Sequence, residues 1–153
     1  MTTMEHRPAR EAREFRPVVP CYTMDLVAAL TGRTKDRVKH LIESGELCHV
    51  INVGALTARA RELRFLPDCV MAWVEKRKCT MRFDDVIARL IPYAGPEVTG
   101  PEIYRCLNIT DDLSRYFRAG SLKVSKPGRT GRTGAARITR KSFCDFVQSR
   151  LVS

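Results

Sequence analysis

Thr23-Met-Asp-Leu-Val-Ala-Ala-Leu-Thr-Gly-Arg-Thr-Lys-Asp-Arg-Val-Lys-His-Leu-Ile-Glu-Ser-Gly45-Glu-Leu47 and Thr99-Gly-Pro-Glu-Ile-Tyr-Arg-Cys-Leu-Asn-Ile-Thr-Asp-Asp-Leu-Ser-Arg-Tyr-Phe-Arg-Ala-Gly120-Ser-Leu122 read as two copies of one pattern. In each, a Thr opens a short helix, a turn follows, a second helix runs into a Gly, and a basic segment comes after. The repeat of about 75 residues is far longer than the roughly 20 to 50 of solenoids, so two whole domains are expected. Outside these windows, Arg64-Phe65 through Val70, Trp73 and Val74 line up with Arg137-Ile138 through Phe143, Phe146 and Val147. Each half therefore reads helix, turn, helix, basic hairpin, helix. Thr23 to Gly45 is one residue longer than Thr99 to Gly120, and the difference is placed in the turn, near Gly32 and Asn108.

Thr23 is suited to cap a helix, and Leu26, Val27 and Leu30 give it an apolar stripe expected to face inward. Gly32 permits a tight turn, and Thr34 caps a second helix that buries Val38, Leu41 and Ile42. Lys35, Asp36, Arg37, Lys39 and His40 then point outward or flank that stripe, and Gly45 stops the helix. From Leu47 to Phe65, alternating apolar residues around Gly54 predict a hairpin, with Arg59, Arg61 and Arg64 near its tip or on its return strand. Pro67-Asp68 starts a helix whose Val70, Met71, Trp73 and Val74 are expected to cover the core. Between the halves, Phe83, Val86, Ile87, Leu90 and Ile91 have helical spacing, with Pro92, Gly95 and Pro96 after them. This helix is expected to dock the halves together. The predicted organisation is an N-terminal arm at 1–20, domains at 21–79 and 98–153, and a connecting helix and linker at 80–97.

The formal net charge of +10 on 153 residues is uneven: +1 over 1–20, +3 over 21–80, −1 over 81–100 and +7 over 101–153. Such asymmetry points to a polyanionic partner. Between Ser121 and Lys141 there is no carboxylate, while Lys123, Lys126, Arg129, Arg132 and Arg137 are basic. In that segment, arginines set between glycines lack bulky neighbours and can enter a narrow minor groove. No run of about 18 apolar residues suggests a membrane span. The first 20 residues mix arginine with glutamate and lack the apolar core of a secretory signal, so a bacterial or phage cytoplasmic, nucleoid-associated location is expected. The six cysteines form no CxxC pair, and Cys106 and Cys144 fall on apolar helical faces. His40, Cys48 and His49 are close in sequence and are the one grouping that suggests a metal or redox site. Zinc ligands usually show tighter pairing, so no metal and no cofactor are expected. No phosphate loop, nucleophile elbow or paired catalytic carboxylates are present, and no enzymatic activity is expected.

With its opening Thr23, its turn, Val38-Lys-His-Leu-Ile-Glu-Ser-Gly45-Glu-Leu47 and Phe65-Leu-Pro-Asp-Cys-Val-Met-Ala-Trp-Val74, the first half resembles the excisionase-like and MerR-like winged helix-turn-helix domains. The likeness covers residues 22 to 76 well and 98 to 149 less closely. It implies a mainly α fold with small β-hairpin wings (α+β), present as tandem winged helix-turn-helix domains. It also implies a second helix in the major groove and a wing on the adjacent backbone or minor groove. Family members commonly carry an acidic residue three positions after the opening Thr. Leu26 replaces it in the first copy, and Glu102 keeps it in the second. The second copy's helix starts Thr110-Asp111-Asp112, which suits the helix dipole but repels phosphate, so its wing is expected to contribute more affinity than this helix.

The DNA-contacting candidates are therefore Thr34, Lys35, Arg37, Lys39, His40, Arg59, Arg61 and Arg64 in the first half. In the second they are Ser114, Arg115, Arg118, Lys123, Lys126, Arg129, Arg132 and Arg137. The expected partner is double-stranded DNA, bound by a monomeric pseudo-dimer, with an integrase, a recombinase or RNA polymerase as protein partner. The expected role is transcription regulation or excisionase-like control of recombination directionality. A winged-helix adaptor that binds protein instead of specific DNA is the alternative.

Overall fold

The computed structural model describes residues 19–54, 62–92, 95–109, 116–117, 120–126 and 137–152. In chain order the elements are β1 (Tyr22–Thr23), α1 (Met24–Thr31), α2 (Lys35–Glu43), β2 (Val50–Asn52), β3 (Leu63–Phe65), α3 (Pro67–Val74) and α4 (Phe83–Leu90). They continue with β4 (Glu97–Thr99), α5 (Gly100–Leu107), β5 (Val124–Lys126), β6 (Arg137–Thr139) and α6 (Arg140–Ser149). The fold is mixed α+β, and the described residues form two antiparallel three-stranded sheets, ordered β1-β3-β2 and β4-β6-β5. In both, the last strand of the half lies in the middle, and the helix-capping Thr stands opposite an Arg: Thr23 opposite Arg64, Thr99 opposite Arg137. No helix among the described residues is long and apolar enough to cross a membrane.

Side-chain chemistry sets the helix ends. The Thr23 hydroxyl accepts from the Leu26 amide at 3.3 Å, and the Thr34 hydroxyl accepts from the Arg37 amide at 3.2 Å. At α5 the exchange is reciprocal: Thr99 Oγ1 accepts from the Glu102 amide, and Glu102 Oε1 accepts from the Thr99 amide. Leu26, at the equivalent position, can return no such bond, so the acid kept in the second copy has a helix-starting role. Gly32 and Asn108 end α1 and α5 in the left-handed region, at φ 66° and 53°; asparagine is among the few side chains that tolerate it. These two residues, like Thr23 and Thr99, are 76 positions apart.

Leu47 and Leu122, whose amides donate to the carbonyls of Leu41 and Tyr116, are 75 apart. The one-residue difference therefore falls after the Gly32 and Asn108 turns and before Leu41 and Tyr116.

Two hydrophobic clusters result. The smaller joins Val27, Val38, Leu41, Ile42, Leu47, Val50, Leu63, Phe65 and Val70, and among the described residues of the second half takes only the half-buried Val152. The larger runs through both halves, from Cys21, Ile51, Val53 and Leu66 across Val86, Ile87, Leu90 and Ile91 to Ile103, Leu107, Tyr116, Phe143 and Phe146. The alternation of β2 divides them, because Val50 turns to one face while Ile51 and Val53 turn to the other. Each fully buried Phe or Ile contributes about 1.5 to 3 kcal/mol, so the larger cluster makes α4 a core element instead of a tether.

Polar contacts extend the same seam. The Cys21 amide donates to Cys106 O at 3.0 Å, and Asn108 Nδ2 donates to Cys21 O at 3.2 Å. The Tyr116 hydroxyl donates to Val53 O, and Arg150 Nη1 donates to Gly54 O at 3.2 Å. Leu151 pairs with Ile51, and the Val152 amide donates to Val50 O at 2.8 Å, so residues 151–152 lie along the outer edge of β2.

Two expected stripes are corrected. Leu26 and Leu30 are 42% and 43% exposed. The inward line of α1 is Met24, Val27, Ala28 and Thr31, one complete i, i+3, i+4, i+7 set, and Leu26 and Leu30 fall beside it. In α3, Cys69, Val70 and Ala72 are buried, Met71 and Trp73 are half-buried, and Val74 is exposed. That helix ends at Val74, beyond the edge of the core. Of the two cysteines placed on apolar helical faces, Cys106 is buried and Cys144 half-buried.

Candidate nucleic-acid interface

Val38, Leu41 and Ile42 fix α2 to the smaller cluster, leaving Lys35, Asp36, Arg37, Lys39, His40 and Glu43 exposed. Of these, Arg37 and Lys39 lie on the two flanks of the buried stripe, one on each side of Val38, while Asp36, His40 and Glu43 fall opposite it. The other candidates have neighbours. Thr34 spends its acceptor on the helix cap. Lys35 Nζ lies 2.7 Å from Asp25 Oδ1, and that hydrogen-bonded carboxylate raises the lysine's pKa. His40 Nδ1 is 3.7 Å from Glu43 Oε2. The exposed surface is thus cationic on its two flanks, at Arg37 and at Lys39, and mixed between them.

At the base of the first hairpin, Asn52 Oδ1 accepts from the amides of Gly54 and Glu62, at 3.0 and 3.2 Å. Arg59 and Arg61 lie outside the described residues. Arg64 is a correction: expected on a DNA-facing wing, it is 8% exposed. Its Nε donates to Leu107 O at 3.2 Å and Asn108 O at 3.1 Å, its Nη1 donates to Leu63 O, and its Nη2 meets Glu62 Oε2 at 3.4 Å. The cause is topological. Arg64 is on the central strand of the sheet, and the second half docks where an isolated domain would present that side chain to solvent.

In the second half, Ser114, Arg115, Arg118, Arg129 and Arg132 lie outside the described residues. Lys123 is exposed, and its amide donates to Ser142 Oγ at 2.9 Å. Lys126 ends β5 opposite Arg137, next to a register irregularity. Arg137 is exposed with Nη1 3.7 Å from Glu97 Oε1. Lys123, Lys126 and Arg137 thus stand where β5 and β6 enter the basic segment.

The grouping of His40, Cys48 and His49 is not formed. His40 turns to Glu43, and His49 Nε2 lies 2.7 Å from Met81 O. Cys48 instead meets Cys69 and Cys79, with Sγ–Sγ distances of 3.9 Å from Cys48 to Cys69 and 3.1 Å from Cys69 to Cys79. Burial is the main cause that raises the thiol pKa values of Cys48 and Cys69. Sequence spacing concealed this trio, because its members come from a loop, a helix and a connecting segment. At the seam, burial pushes the Cys21 thiol up to about 12, against the lowering influence of Arg64 and Arg89, and burial also raises Cys106.

Chemically, exposed guanidinium and ammonium groups on a rigid helix beside hairpin bases suit contacts with phosphate and with base edges. No protein-family model, curated protein or solved structure matches this chain.

Proposed function

We propose that the protein binds double-stranded DNA sequence-specifically through two tandem winged helix-turn-helix modules. Its role is that of a transcription regulator or an excisionase-like recombination directionality and architectural factor. The observation that carries the reading is α2: its apolar side packs into the smaller cluster while Arg37 and Lys39 are exposed on its two flanks. Such a helix can enter a major groove without rearrangement, and its early residues then reach base edges. The net charge of +10, densest in the second half, supports a polyanion as the partner. The matching strand order and helix caps of the two halves support two modules of one kind.

The test is selection of bound duplexes from a random pool by the purified full chain, followed by affinity against salt. Enrichment of two adjacent half-sites is the expected result. Tight binding with no enriched motif would replace sequence reading by an architectural role, and no binding at moderate salt would favour a protein-binding adaptor.

A further inference from the structure

We propose that Cys48, Cys69 and Cys79 form a three-thiolate site for a thiophilic metal ion, Zn(II) or Cu(I). Among the described residues they are the only group of three or more metal-ligand side chains whose donor atoms all lie within 4.8 Å of one another. They come from three separate places: the segment entering β2, the first turn of α3, and the stretch between α3 and α4. Cys69 is buried at the floor, while Cys48 and Cys79 are half-buried at the rim. An ion can therefore reach the site, and a fourth donor can approach from the open side.

The geometry is close to what one ion requires. Metal–sulfur bonds of about 2.3 Å separate the sulfurs around a single ion by roughly 3.8 to 4.0 Å. Cys48 and Cys69 already stand 3.9 Å apart. The 3.1 Å between Cys69 and Cys79 needs to open by roughly 0.7 Å, within reach of a half-buried side chain on an irregular segment. That distance is also well beyond the roughly 2.05 Å of a disulfide.

The backbone assists. His49 takes a left-handed φ of 56° and its ring bonds Met81 O, which holds the stretch bearing Cys79 against the segment bearing Cys48. An all-sulfur donor set selects soft ions over oxygen-seeking ones. Lys76, Arg77 and Lys78 precede Cys79 and offset the charge of a metal tris-thiolate. On binding, each sulfur bonds the ion and releases its proton to solvent, and no electron is transferred. The bound ion would clamp the chain leading to α4 onto the base of the first hairpin, a role independent of DNA binding.

The test uses the full chain, reduced and stripped by a chelator, titrated anaerobically with Zn(II) and separately with Cu(I) against competing chromophoric chelators. One equivalent per chain is expected, with protection of Cys48 and Cys79 from alkylation in the loaded protein, mapped by mass spectrometry. Because thiolates bind Cu(I) more tightly than Zn(II) in general, the metal is identified by elemental analysis of protein purified without added metal. Cys48→Ser and Cys79→Ser, each checked for native circular dichroism, should weaken binding at least about 100-fold, since loss of outer-shell partners alone costs 10 to 100-fold. Cys144→Ser should leave it unchanged. No uptake of either ion, or uptake without protection of Cys48 and Cys79, would overturn the site. So would a Cys69–Cys79 disulfide in a chain that takes up no metal once reduced.

Discussion

Arg37 and Arg64 belong to the same half and carry the same charge, but their surroundings assign them different work. Arg37 is exposed on an anchored helix, so its replacement should leave the fold unchanged. Arg37→Ala is expected to cost about 1 to 3 kcal/mol against the preferred duplex and little against a scrambled one, measured by competition at fixed salt. Arg64 is buried and shared between carbonyls of both halves. Hydrogen bonds to a charged group contribute about 1.5 to 3 kcal/mol, so Arg64→Ala should lower unfolding stability by roughly that amount while keeping the salt slope of DNA binding. Arg64→Lys should not restore stability, because an ammonium cannot reproduce the planar fork that spans Leu63, Leu107 and Asn108. A fall in salt slope with unchanged stability would return Arg64 to the proposed DNA-contacting surface.

At the scale of elements, the two halves carry their cations differently. The first has a well-anchored second helix with exposed bases on its flanks. The second has its basic residues concentrated around and between β5 and β6. Arg129→Ala with Arg132→Ala should therefore weaken binding to every duplex alike and reduce the slope of log affinity against log salt by about 1.8, near 0.9 for each phosphate that is no longer neutralised. A change confined to one sequence would move these residues from backbone contact to base reading. The sequence made much of this scale legible. The Thr caps, the Gly32 and Asn108 turns and the hairpin strands follow from local chemistry, which short-range hydrogen bonds are enough to enforce. The misplaced Leu26 and Leu30 show its limit, since an eight-residue helix with apolar residues on adjoining faces does not announce which line will meet the sheet.

At the scale of the whole molecule, the core that joins both halves and the Leu151–Val152 edge pairing make docking part of the fold. The full chain should unfold in denaturant as one cooperative transition by fluorescence and circular dichroism. Stability should also depend on pH through the seam. The Cys21 thiol has its pKa raised from 9.0 to about 12. Its contribution is fully present below about pH 9, where folded and unfolded chains are both protonated. It is lost as the unfolded thiol ionises from pH 9 toward 12, at up to about 1.4 kcal/mol per pH unit. Cys21→Ala should flatten that decline, measured by denaturant titrations at each pH. An identical decline in the variant would assign the dependence to other groups.

The sequence by itself determined the repeated pattern, the described helices and hairpin strands in their order, the Thr23, Thr34 and Thr99 caps, the Gly32 and Asn108 turns, and the basic bias of the second half, because each of these is written in neighbours or in composition. Only the tertiary structure decided that Arg64 serves the seam, that β1 and β4 extend the hairpins into three-stranded sheets, and that Cys48, Cys69 and Cys79 converge, whereas the docking role of α4 was legible in its apolar spacing. Those outcomes depend on which faces of distant segments meet. In a chain of two similar halves of this size, each small core gains by burying its open side against the other half, and no local pattern records which side chains meet there.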